Sequence, residues 1–72
     1  MGAPRLDAKG NPVIDDLPFR EEHRFWPKGH RAWKFFDDHH VMVLCVEAAY
    51  KEAKRQAVEY SRKHNTQLTV YP

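Results

Sequence analysis

A small α+β fold, a three-stranded sheet with one helix packed on one face and a mobile N-terminal arm, is predicted by three features of this 72-residue sequence. Two β-forming runs flank a polar turn at Asp37 to His40. The stretch from Ala48 to His64 holds no Gly or Pro and is dense in Ala, Lys, Glu, Gln and Arg, the composition of a helix. A closing segment, Thr66 to Tyr71, alternates apolar and polar residues as a strand does. The predicted order is strand, strand, helix, strand.

Residues 1–18 contain Pro4, Gly10, Pro12 and Pro18, and their apolar residues Leu6, Val13, Ile14 and Leu17 are too scattered to mark an element face. This composition predicts a solvated, mobile arm, with Pro12-Val13-Ile14 as the stretch able to dock. Residues 19–72 are expected to form a single α+β domain. Phe19, Phe25 and Trp26 precede the breakers Pro27 and Gly29, so this segment forms a short helix or an irregular clasp. In the run RAWKFF, Arg31 to Phe36, Trp33 and Phe35 share one strand face, while Ala32, Lys34 and Phe36 share the other. Val41 to Val46 is a continuous apolar run, which predicts a buried strand paired with the first as a hairpin.

At about 100° per residue, Ala49, Tyr60, Ala53, His64, Ala57 and Tyr50 fall in one stripe of the helix. Asn65 then suits a left-handed C-cap. In the last strand Leu68 and Val70 should point inward. The handedness of strand-helix-strand connections predicts spatial order 2-1-3, with the last strand parallel to the second. One helix covers one sheet face, and Phe19, Phe25 and Trp26 are the candidates to cover the other.

The longest apolar run is far short of the roughly 20 residues of a membrane-spanning helix. The N-terminus shows no apolar signal-peptide core, and the single cysteine, Cys45, cannot make an intramolecular disulfide. A reducing cytoplasm is the expected setting. The net charge of +2 hides an uneven distribution: residues 1–22 carry three basic and five acidic groups, and the remainder nine basic against five acidic. The body is mildly basic and suited to an acidic protein or a nucleic acid.

Candidate chemistry is sparse. Five histidines and one cysteine include no Cys-x-x-Cys or His-x-x-x-His spacing, so no metal and no cofactor is expected. Cys45 reads as a small buried hydrophobe, and Asp37-Asp38 as turn residues whose carboxylates bond turn amides. There is no Gly-rich phosphate loop and no catalytic constellation, which predicts a protein that is not an enzyme and has no small-molecule substrate. The outward helix face gathers Lys51, Lys54, Arg55 and Arg62, with Glu52-Arg55 and Glu59-Lys63 as candidate ion pairs. Arg24, Lys28, Arg31 and Lys34, interleaved with Phe25, Trp26 and Trp33, form a second basic and aromatic segment. The expected binding residues are therefore Lys51, Lys54, Arg55, Arg62, Arg24, Trp26, Lys28 and Arg31.

From Ala32 to Pro72 the layout resembles that of short bacteriophage-encoded inhibitors of bacterial RNA polymerase. The resemblance rests on the aromatic first strand Ala32-Trp33-Lys34-Phe35, the polar turn Asp37 to His40, the apolar second strand, a helix begun by Glu47-Ala48-Ala49, and the ending Thr69-Val70-Tyr71-Pro72. It implies a hairpin, one helix and a final strand, and exposed charged residues that grip the polymerase's largest subunits. The expected function is a small non-enzymatic module that binds a larger, acidic-surfaced host protein and interferes with it, away from any membrane. The alternative is a small nucleic-acid-binding protein using the same basic face and nearby aromatics.

Overall fold

The computed structural model describes residues 3–71. Five elements follow in order: α1 (Leu17–His23), β1 (His30–Phe36), β2 (Met42–Ala49), α2 (Tyr50–His64) and β3 (Thr69–Tyr71). The strands form one sheet in the order β2-β1-β3. Both neighbours run antiparallel to β1, so β3 lies parallel to β2 across it, as the sequence predicts.

The hairpin is held by its turn. The Asp37 carboxylate accepts the amides of His39 at 2.9 Å and Val41 at 3.0 Å, which spends it on backbone donors that the turn would otherwise leave unpaired. Register then places Trp33 opposite Val46, and Phe35 opposite both Leu44 on β2 and Val70 on β3. Trp33, Phe35, Val46 and Val70 are all buried on one face, the alternation expected of a sheet covered on one side. The Trp33 indole donates to the carbonyls of Gly29 and Ala48, both at 3.1 Å, so the largest core side chain leaves no donor unpaired.

β2 is longer than the sequence predicts and takes Ala48 and Ala49 from the expected helix. Their helix propensity loses to pairing with Arg31 and His30, and the Tyr50 amide continues this ladder to the Gly29 carbonyl at 3.0 Å. β2 is also not the buried strand expected: it is an edge strand, and Val46 alone of its residues is buried. Cys45, read as a buried hydrophobe, is exposed because it alternates away from Val46.

α2 buries Ala53, Ala57 and Ser61, whereas His64, expected in that stripe, is exposed. The Ser61 hydroxyl donates to the Thr66 carbonyl at 2.6 Å, which lets a polar residue occupy the core side. Asn65 is left-handed, with φ of 52°, the C-cap the sequence indicates.

α1 begins within the expected arm, and Phe19 packs on the same sheet face as α2, its ring 5.3 Å from Trp33. The expected cover of the opposite face is absent: Phe19 is in the core, while Phe25 and Trp26 are exposed beside α1. The open face carries Ala32, Lys34, Cys45 and Glu47, all exposed, and a Phe36–Tyr71 edge contact with ring centres 5.0 Å apart.

Residues 5–16 lie against the body instead of extending from it as a solvated tail. Asp15 pairs with the outer edge of β3: its amide donates to the Leu68 carbonyl at 3.0 Å, and its carbonyl accepts the Val70 amide at 2.9 Å. Ile14 enters the core. The Gln67 side chain accepts the Arg5 amide at 2.8 Å and donates to the Val13 carbonyl at 2.7 Å. Upstream, Leu6 and Pro12 bridge across a turn in which the Asp7 carboxylate accepts the amides of Lys9 and Asn11, both at 2.9 Å.

Candidate functional site

The outward face of α2 presents Lys51, Lys54, Arg55 and Arg62, all exposed. Their charges are not equally free. The Arg55 guanidinium bonds Glu52 through Nε at 3.0 Å and Glu59 through Nη1 at 2.8 Å. The hydrogen bond from Arg55, then that from Gln56, holds the Glu52 carboxyl down at about 2. Of the two pairs expected, Glu52–Arg55 forms, and Glu59 turns to Arg55 instead of Lys63 because Arg55 reaches both carboxylates from one turn. Arg62 donates to the Asn11 side-chain oxygen at 2.8 Å. Among the described residues neither Lys51 nor Lys54 has an ion-pair partner.

The second basic segment is shaped by the end of α1. Arg24 is left-handed, with φ of 64°, and its amide donates to the Arg20 carbonyl at 2.8 Å. This stop turns Phe25 and Trp26 outward. Trp26 is 65% exposed, with the Arg20 guanidinium 4.4 Å from its ring centre. The Lys28 ammonium sits 5.6 Å from the Phe25 ring. Such cation-aromatic contacts are worth about 0.5–1 kcal/mol at exposed sites. Arg31 has a different role: it lies 5.1 Å from the Trp33 ring and 5.7 Å from that of Phe19, covering the core edge.

The fold joins the two segments at Lys28. A shallow depression of about 440 Å³ is lined by Pro27, Lys28 and Gly29 from the loop and by Ala49, Tyr50, Lys51 and Lys54 from the start of α2. Three lysines thus meet there. From it the surface runs through Lys28 to the exposed Phe25 and Trp26, and beside them to Arg20 and Arg24, which line a further concavity of about 540 Å³. Of the residues expected to bind, Lys51, Lys54, Lys28, Trp26 and Arg24 fall on this band. Arg55 is neutralised, Arg62 is drawn to residue 11, and Arg31 packs on the core.

Sequence reasoning missed Arg20, whose place over Trp26 depends on the turn at Arg24. It also missed the loop of residues 7–12, which faces α2 across a cleft of about 450 Å³. The signal was present, because Asp7, Gly10, Asn11 and Pro12 are turn formers flanked by Leu6 and Val13.

No protein-family model, curated protein or solved structure matches this chain. Among the described residues no three His, Cys, Asp or Glu side chains gather where they could hold a metal ion, and no helix is long and apolar enough to cross a membrane. The Asp37 carboxyl lies below its usual range, first through the Val41 amide, then through His39. His40 contacts the Tyr71 hydroxyl at 3.4 Å on the open sheet face.

Proposed function

We propose that the chain is a small non-enzymatic module that docks on an acidic surface of a larger protein and interferes with it. The observation that carries this reading is the band of Lys28, Lys51 and Lys54, none of which has an ion-pair partner among the described residues, continuous with the exposed Trp26. Tryptophan and arginine dominate the energetic centres of protein interfaces, and surrounding cations steer encounter with an acidic partner. The resemblance to phage-encoded inhibitors makes bacterial RNA polymerase the first partner to test and the host cytoplasm the place of action.

The test is co-elution with purified bacterial RNA polymerase, together with transcription in vitro. Trp26→Ala should weaken binding by about tenfold to thirtyfold, as expected for an anchor worth about 2 kcal/mol. Failure of the wild type to bind the polymerase or reduce transcription would sink the reading for this partner.

A second reading, single-stranded nucleic acid, draws on the cations interleaved with Phe25 and Trp26, since bases stack on exposed rings. It predicts tight oligonucleotide binding that falls steeply with salt, where protein docking would change only moderately.

A further inference from the structure

We infer that the cleft between residues 7–13 and α2 binds an extended acidic peptide segment of the partner, with carboxylates flanking one apolar residue. This rests on the reading of the chain as a module for acidic proteins. One wall is α2, with Lys51, Lys54 and Arg62; the other is the turn carrying Asp7 and Asn11. The floor is apolar, formed by Pro12, Val13 and Val58. The cleft is formed in advance of any ligand, because Arg62 holds Asn11 while Gln67 holds the Val13 carbonyl. Binding therefore does not bear the cost of ordering this wall.

The charges specify the occupant. Four cations line the cleft against two carboxylates, Asp7 and Glu59. Glu59 is engaged by Arg55, and Asp7 by turn amides, first that of Asn11. Lys51 and Lys54 have no ion-pair partner among the described residues, and Arg62 meets a neutral amide. The positive groups stand towards the two ends, Lys51 and Lys54 at one and Arg62 at the other, with Val58 between them. From Lys51 to Arg62 the helix rises about 16 Å at about 1.5 Å per residue, the length of about five extended residues at roughly 3.3 Å each. An acidic, apolar, acidic sequence matches that order. A nucleic acid matches it poorly, since its evenly spaced phosphates would have to pass the apolar floor between the two groups of cations. Lys51 and Lys54 also line the depression beside Lys28, so the cleft continues the proposed docking band.

The experiment titrates the full chain into a fluorescein-labelled peptide with glutamates on both sides of a central leucine. Anisotropy reads affinity, and amide chemical shifts read location. The expected result is binding that Lys54→Glu weakens at least about tenfold, a loss of about 1.4 kcal/mol. Replacing the peptide's leucine by serine should weaken it by a similar factor, Lys34→Ala on the open sheet face should change nothing, and the shifts of Val13 and Val58 should move. Equal affinity for the serine peptide, or indifference to Lys54→Glu, would overturn the cleft as the site. An oligothymidylate that displaces the peptide and moves the same amides more strongly would assign the cleft to nucleic acid instead. Retention of RNA polymerase without peptide binding would refute the cleft and leave the docking function standing. Peptide binding without polymerase retention would refute that partner and leave the cleft.

Discussion

Tyr50 shows how one position serves packing and titration together. Its ring meets Trp33 edge-on with centres 4.7 Å apart, at the junction of β2 and α2. Burial, reinforced by the Asp16 carboxylate, pushes its hydroxyl up to about 12 from the ordinary 10.0. The folded state thus holds the proton more tightly than the unfolded chain. The resulting stabilisation is complete below pH 10.0 and is lost as the pH rises towards 12. Tyr50→Phe should keep the fold and shed this part of the alkaline loss, so its urea midpoint should fall less than that of the wild type across this interval. The tyrosinate absorbance of Tyr50, read as the difference between the wild type and Tyr50→Phe, should appear only as the pH approaches about 12. Parallel pH profiles for the two proteins would contradict the assignment. Asp37 works in the same local way, and its role was legible because a turn carboxylate needs only amides two to four residues away. Ser61 was not legible: its acceptor, the Thr66 carbonyl, becomes available only after Asn65 reverses the chain.

At the scale of elements, the end of α1 sets the candidate binding surface. Arg24 holds a left-handed conformation, which costs a non-glycine residue about 1–2 kcal/mol, and no side-chain hydrogen bond of Arg24 offsets it among the described residues. Arg24→Gly should therefore stabilise the fold by about 1 kcal/mol, raising the melting midpoint by about 4–8 °C for a domain of this size. It should also weaken partner binding, because a cation beside Trp26 is removed. A lower midpoint would show that the Arg24 side chain supports the fold. The hairpin, α2 and its C-cap could be read from the sequence because their signals lie within a few residues: β-formers, a polar turn, a Gly-free and Pro-free run, and Asn65. The β2–α2 boundary could not, because pairing with β1 decided it, and Ala48 and Ala49 have no local preference for a strand.

Over the whole molecule, the N-terminal segment closes one side of the core. Ile14 is 5% exposed, and Asp15 occupies the outer edge of β3, where an unpaired strand would otherwise be open to association. Ile14→Ala should cost about 2–5 kcal/mol, a large share of the roughly 5–15 kcal/mol available to a small domain. Chemical denaturation checks this directly. A cost under about 0.5 kcal/mol would return residues 5–16 to the status of a dispensable tail. Local sequence signals were enough for the α+β class, the 2-1-3 strand order, the shared strand face of Trp33 and Phe35, the inward placement of Leu68 and Val70, and the cations of α2, because periodicity, propensity and connection handedness act over short stretches of chain. Packing of the whole chain was needed to settle that α1 and α2 share one sheet face, that residues 5–16 lie against the body, and that residues 7–13 build a cleft against α2. Those outcomes rest on contacts such as Gln67 with Val13 and Arg62 with Asn11, made across more than fifty residues. Once the sheet has formed, it brings these distant side chains together, a proximity that no local pattern in the sequence encodes.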